Sequence, residues 1–458
     1  MSGLNASLFT ALSALSAEQG ALQATSNNVA NANTPGYSRQ VPLLVESVPV
    51  VVDPLTLGTG VTLKTLESVR DPMLESRIQQ ETQTQGQLAA LVSALQQTQV
   101  NFTTSSRDIG TSISNFFNSI NELSVKPSDL SLRQGVLTTA QNLATSFNVV
   151  SNNLTAQRGN LDLSVVQTVG QINQLSGQIA QLNVQIASLQ NVGETAGAFV
   201  DQRTTLINRL SNLVDVSVIQ SGNMLTLTTA NGTALVAGQQ SFQLIAQRDA
   251  SGYQHVFAQG ADITSTLVSG QLGGVLQTRD QQIPVMQSRL DTLASDLATA
   301  INTVQTSGYD LNGNLSTGVN LFTPPPASGV GAAASFAVAL TDPLLIAASS
   351  DGTAGSNGNA ELMYALRNQN IVSGQTPTDY YSGIVFDVGN VTANASADQS
   401  ASTLVLQQLN NQRAAVSGVS LDEEAANMVR YQQAYGASAQ IISTINSMMQ
   451  TVINMKNS

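Results

Sequence analysis

His255 is the only imidazole in 458 residues, and it stands in an alternating run, YQHVFA, that reads as a strand with this residue exposed. One histidine excludes a multi-histidine metal site and leaves one candidate imidazole general base. Asp310, Asn312 and Asn314 in DLNGN have the every-other-residue spacing that opens a calcium loop. That loop needs glycine after its third ligand and glutamate at its twelfth position. Here Gly313 falls early and Leu321 takes the twelfth place, so a turn is expected. SGVGAAAS carries Gly329 and Gly331 but has Ala334 where a third glycine would stand, and it follows three prolines, so it reads as a flexible loop. Asp422, Glu423 and Glu424 open a helix, where negative charge meets the positive end of the dipole. Cysteine is absent, which excludes disulfides, thiolate nucleophiles, cysteine-bound zinc and iron–sulfur clusters. No Ser-His-Asp set, Walker loop or lysine in an apolar setting can be assembled, so catalytic, cofactor-binding and metal-binding residues are expected to be absent. A secreted enzyme or adhesin, the rival from another class, would have to place its site within 214–350.

Seventeen Lys and Arg against 29 Asp and Glu give a net charge of -12, which repels phosphate backbones and argues against a nucleic-acid partner. With only 10% charged residues, polarity rests on amides and hydroxyls, a surface that can pack against copies of itself with little charge to desolvate. No stretch approaches the roughly 18 unbroken apolar residues of a membrane span. No Lys or Arg precedes Arg39, so the basic region of a cleavable secretory signal is not found, and a route without one is expected if the chain leaves the cell.

The elements around these residues are mostly helical. Leu4, Leu8, Ala11, Leu15, Leu22 and Val29 recur at steps of three, four or seven, interrupted by Glu18 and Thr25. Tyr431, Ala434, Ser438, Ile441, Ile445, Met448, Val452 and Met455 alternate threes and fours without a slip. Both ends are therefore expected to be seamed helices that pair as a coiled coil. Asp71-Pro72 opens a long helix with Leu88, Leu95 and Phe102 every seven residues. Val165, Val169, Ile172, Leu175, Ile179, Leu182, Ile186 and Leu189 mark a second, and Met286, Leu290, Leu293, Leu297, Ile301 and Val304 a third, together an antiparallel long-helix bundle.

From Val214, Val216 and Val218 to Leu225 and Leu227 the period drops to two, with Gly222-Asn223 and Asn231-Gly232 as hairpin turns. The expected fold is thus mainly α with a small inserted antiparallel β domain. Residues 1–60 and 405–458 form a terminal helical domain, 66–213 with 271–308 and 357–404 the bundle, and 214–270 the β-rich outer domain. The Gly-, Ser- and Pro-rich segment 309–356 reads as loop with one strand at Phe336 to Leu340, attached to the outer domain.

The helix that ends near Val29 runs into SNNVANANTPGYSRQ, four asparagines before a Pro-Gly turn. This stretch, with GVSLDEEAANMVRYQQAYGASAQIISTINSMMQTVINM at the other end, resembles the bacterial flagellar axial proteins, the rod, hook and hook-associated group. Tyr37-Ser38-Arg39-Gln40 after Pro35-Gly36 favours the hook-associated branch over a hook or distal-rod protein. The likeness also takes in RDPMLESR (Arg70 to Arg77) and FVDQRTTLINRLS (Phe199 to Ser211).

The resemblance implies a structural protein at the junction between hook and filament, exported unfolded by the flagellar type III apparatus without a cleaved signal. It implies self-assembly into a ring or helical layer between hook protein and hook-associated protein 3, and an export chaperone at the C-terminal segment, within 420–458. On this reading the termini order only on assembly. The expected assembly residues are Leu8, Leu15, Leu22, Asn27, Asn28, Val29 and Asn31 on the first helix, with Pro35, Gly36 and Tyr37 as the exit toward the outer layer. On the last helix they are Asn427, Tyr431, Gln432, Tyr435, Ile441, Ile445, Met448 and Val452.

Overall fold

The computed structural model describes residues 2–52, 55–103, 108–191, 196–221 and 224–457. Its two ends are long helices, α1 (Ser2–Ala30) and α10 (Leu421–Asn457), packed along one another. A hairpin of β1 (Gln40–Glu46) and β4 (Val61–Ser68), extended by β2 (Val50–Val52) and β3 (Leu55–Leu57), lies against α1. The 1–60 boundary expected for a terminal helical domain divides this hairpin, whose strands need each other's hydrogen bonds. Likewise 405 falls inside one unbroken helix, α9 (Pro377–Ser417).

Asp71 caps α2 (Pro72–Thr103) by accepting from the Met73 and Leu74 amides, with Pro72 at the first helical position as its sequence suggests. α3 (Ile109–Val125), α4 (Leu130–Asn191) and α5 (Gly197–Leu213) follow. The 62 residues of α4 span about 93 Å at 1.5 Å per residue. It is the spine of the molecule and passes through two cores.

Val136 to Leu154 of α4 join α2, α3, α7 (Ile283–Ser307), α8 (Gly358–Ala365) and α9 in the helical core. Val165 to Ile186 instead pack under the β region: β5–β8 (217–241), a four-stranded antiparallel sheet, and β9–β11 (244–262), a three-stranded one, closed by α6 (Gly270–Gln277). The seams of α4 and α7 share a period, but Val165–Ile186 find a sheet and not α7 as partner. The period specifies an apolar face and leaves its cover open. Asn231-Gly232 forms the β6–β7 turn, with Gly232 at φ +86. Gly222-Asn223 lies outside the described residues.

Segment 309–356 belongs to the helical core and not to the β region. Phe322 meets Phe116 edge-on at 5.5 Å and Phe336 at 4.6 Å, and Phe336 meets Phe147 at 4.9 Å. The strand expected at Phe336 to Leu340 is a single bridge, Phe322 to Val338. Helix amides satisfy the backbone there instead: Asn302 donates to the Phe322 carbonyl and accepts from its amide, both at 2.9 Å. Gln305 does the same between Leu345 and Ala347. Buried Arg133 donates to the carbonyls of Pro127 and Ile346. A loop whose polar groups are paired by side chains can enter a core without a sheet around it.

Candidate functional site: the terminal helix pair and its elbow

Small residues make the closely packed face of α1. Ala17, Ala21, Ala24 and Asn28 repeat at four, three and four, and all are buried. Leu63 of β4 sits where a side chain on Gly20 would be, 2.4 Å from the position of a Cβ. The leucine seam is therefore not what the chain itself buries. Leu8, Leu15 and Leu22 are half-buried, and Phe9, at 67% exposed, and Val29 stand out. On α10, Glu424, Ser438 and Ile445 are buried, while Asn427 and Tyr431 are partly covered. Gln432, Tyr435, Ile441, Met448 and Val452 are exposed, Ile441 by 51% and Met448 by 53%. The pair thus buries alanines on α1 and Glu424, Ser438 and Ile445 on α10, and leaves most of its large apolar side chains outside.

The elbow lies where α1 ends. Asn28, 1% exposed, donates to the Gln40 carbonyl at 2.9 Å and to Glu424 Oε2 at 3.1 Å. Its Oδ1 accepts from the Gln40 amide at 2.9 Å and from the Tyr37 hydroxyl at 2.8 Å. One amide therefore ties α1, β1 and the start of α10 with all its donors and acceptors used inside the chain. Asn27 is exposed, and Asn31 bonds back to the Asn27 carbonyl at 3.0 Å. Gly36 has φ +84, a conformation that favours glycine, and a Cβ there would be 2.6 Å from Thr205 Oγ1 of α5. The Pro35-Gly36 turn is held from the other side by Arg413 of α9, which donates to the Gly36 carbonyl. Arg39 reaches Glu423, and its amide donates to the Ser417 carbonyl at 2.9 Å.

Beneath the turn is a buried ionic group. Arg70 pairs with Asp201 of α5, lies 3.6 Å from Glu75 and donates to Thr204, and Asp201 accepts from the Ser38 amide. Burial pushes the carboxyls of Asp201 and Glu75 up despite Arg70, and burial with the Arg70 charge pulls Arg203 down. The Tyr37 hydroxyl is pushed up to about 12, by burial first and then by Asp201 and Glu424. It remains protonated at neutral pH and keeps its bond to Asn28.

Four stretches from distant parts of the sequence thus meet in one place: 26–40, 70–77, 199–211 and 421–435. Of the residues expected to contact a neighbouring copy, Asn28 is instead buried and fully bonded within its own chain, Gly36 and Tyr37 build the elbow around it, and Ile441, Met448 and Val452 lie far along α10. Arg70, Glu75, Asp201, Arg413 and Glu424 were not singled out as site residues. For Glu75, Asp201 and Arg413 the signal is a charge within a helix of a chain with only 10% charged residues, whereas Arg70 precedes α2 and Glu424 stands in the first turn of α10.

Elsewhere the chemistry is local. His255 Nδ1 is 2.7 Å from Asp262 Oδ2 and Nε2 is 3.2 Å from Asp249 Oδ2, so the ring clasps two strand ends with both nitrogens engaged. Asp310 Oδ1 accepts from the amides of Asn312 and Asn314, closing its own turn. Among the described residues no cluster of three or more acidic, His or Cys side chains could hold a metal, and no helix is long and apolar enough to cross a membrane.

The model for the flagellar hook-associated protein FlgK helical domain matches residues 95–322, that for flagella basal body rod protein 8–37, and that for the flagellar basal body rod FlgEFG protein C-terminal region 411–455. The flagellar hook-associated protein 1 of Bacillus subtilis (strain 168) is 31% identical over 98% of this chain and 97% of its own length. That of Escherichia coli (strain K12) is 26% identical over 97% and 99%. The structure of the flagellar hook junction protein FlgK from Burkholderia pseudomallei, 18% identical, superposes on 74% of this chain and all of its own with a TM-score of 0.66, a likeness of fold. Paired terminal helices, the elbow motifs and end-to-end similarity together place this chain in the flagellar hook-associated protein 1 family, whose members are structural components of the bacterial flagellum.

Proposed function

We propose that this chain forms the junction between hook and filament, as a structural subunit without catalytic activity. The observation that carries the reading is the pair of terminal helices, tied at a tightly built elbow, whose large apolar side chains farther along, Phe9, Ile441, Met448 and Val452 among them, remain exposed. A neighbouring copy that covers those faces removes apolar area from water at about 25 cal/mol per Å². Repetition of such unlike contacts gives a ring or helical layer. Hook protein would lie on one side of that layer and hook-associated protein 3 on the other. Export proceeds through the flagellar type III apparatus to the outside of the cell without a cleaved signal, with a chaperone on 420–458.

The gradient of burial along α1 refines the expectation of disordered termini. Positions 17–28 contain the buried Ala17, Ala21, Ala24 and Asn28, whereas Ala11 is the only buried side chain described before Ala17. The distal parts, about 2–16 and 439–457, order on assembly, and the elbow parts hold in the free subunit. A deletion strain tests the function: finished hooks without filaments are expected, and filaments on those hooks would refute it. Loss of the hook itself would favour a hook or distal-rod role. An enzyme or adhesin in 214–350 is tested by substituting surface residues such as Ile219 and Ile245. Removing the β region outright would expose Val165, Val169 and Ile172 of α4 and confuse folding with function.

A further inference from the structure

One face of α4 carries a regular series of glutamines. Gln171, Gln174, Gln178, Gln181 and Gln185 repeat at three, four, three and four, and all are exposed. They run for about 21 Å at 1.5 Å per residue. Among the described residues none of the five makes a side-chain hydrogen bond. They form one wall of a continuous groove, two hollows of about 650 and 730 Å³ that share Pro35, Gly36 and Gln178. Thr205 and Arg209 of α5 stand opposite, the Pro35-Gly36 turn is the lip, and Leu175, Leu182 and Leu206 supply apolar patches. Unbonded amides at helical spacing suit a helix that presents amides and apolar side chains at the same repeat, and an incoming face without charge of its own adds none to the desolvation that Arg209 and Arg413 already bring.

Such a helix face exists on this chain. Residues 399–412 of α9 carry no charged residue, and Leu404, Gln408, Asn411 and Ala415 repeat at four, three and four, all exposed. Successive helix residues turn by about 100°, at 3.6 per turn. Leu404, Gln408 and Asn411 therefore lie on the side of α9 away from Asn410 and Arg413, which line the groove of their own chain. Groove and ridge sit at one level of the molecule and face apart. A contact between them is head-to-tail by geometry and repeats from copy to copy.

We propose that the groove receives the Leu404–Gln408–Asn411 face of α9 from a second copy of this chain. The contact rests on the reading of the chain as a flagellar layer subunit, and it gives that layer its sideways neighbour just outside the terminal helices.

The chain has no cysteine, so introduced thiols report cleanly. Full-length protein carrying both Gln178→Cys and Gln408→Cys is expressed in the motile organism, and its flagella are isolated and oxidised. A ladder of dimers, trimers and larger products is expected from the double variant and none from either single one. Dimers from Gln178→Cys alone would mean the groove pairs with itself and would overturn the proposal. A second pair, Gln181→Cys with Asn411→Cys, guards against local misalignment, and thermal melts of the purified variants guard against misfolding. If the chain is present in the flagella and both pairs stay monomeric, the groove contact is wrong while the junction role stands. If the unmodified chain is absent from flagella, both fall.

Discussion

Asn28→Asp keeps the shape of the side chain at the elbow and changes its chemistry. The Gln40 amide and Tyr37 hydroxyl can still donate to the introduced carboxyl, but the donor to the Gln40 carbonyl and to Glu424 is gone. A hydrogen bond to a charged acceptor is worth about 1.5–3 kcal/mol, and leaving the Gln40 carbonyl unpaired costs about 1–3. Two carboxylates would then face each other across a bond that is now 3.1 Å. At about 4 Å and an effective dielectric near 20, like unit charges repel by about 4 kcal/mol, an upper figure that protonation of one of them relieves. Altogether about 3 kcal/mol or more is lost from the tie between α1 and α10, a factor of about 100 or more in its opening equilibrium. Hydrogen exchange on the purified subunit reads it: amides of 421–438 should exchange about 100-fold faster, with those of α4 unchanged. Acidification should return part of the protection, because a protonated carboxyl can donate where the amide did. Unchanged protection of α10, or equal loss in α4, would refute the tie.

Gly36→Ala should destabilise the elbow by about 1–2 kcal/mol, from the positive φ of 84 and the Thr205 contact together, seen as faster exchange around 36–40. Met448→Asp and Ile441→Asp should leave the melting of the free subunit within about 0.5 kcal/mol of the parent, since both positions are exposed, yet abolish incorporation into flagella. Burial raises the carboxyls of Glu18, Glu75, Asp201, Asp215 and Asp296. Each contributes most to folding below the unfolded carboxylate range of about 4 and loses that contribution as pH rises through its raised folded value. Denaturant midpoints should therefore fall from mildly acidic to neutral pH, and Asp215→Asn, at a buried carboxyl with Oδ1 unpartnered, should flatten the trend. Asp351, held at about 2 chiefly by Thr353, acts oppositely and lets go only as pH falls toward that value.

Much of the architecture was legible because period and capping are local. Asp71-Pro72 announced α2, the alternation after Val214 announced strands, and the two end seams announced long helices. What covers each seam was not local. Val165 to Ile186 look like a bundle seam and lie under a sheet, and the leucines of α1 look like its buried face while alanines fill that role. The segment 309–356 has the composition of a loop, and nothing in that composition tells that Asn302 and Gln305, elsewhere in the chain, complete its hydrogen bonds.

The amides mark the division most clearly. From the sequence alone came a chain poor in charge and rich in Asn and Gln, without the residues of common catalytic sites, with motifs of a flagellar axial protein at each end. Tertiary structure decided what each amide does. Asn28, Asn173, Asn302 and Gln305 are buried or partly so and pair with backbone across the fold, whereas the five glutamines at 171, 174, 178, 181 and 185 on α4 are exposed and make no side-chain hydrogen bond among the described residues. The residue type supplies one acceptor and one amino group in either setting. Only the position of another segment's N–H and C=O, set by long-range packing, separates an amide spent on the fold from one left for a neighbour.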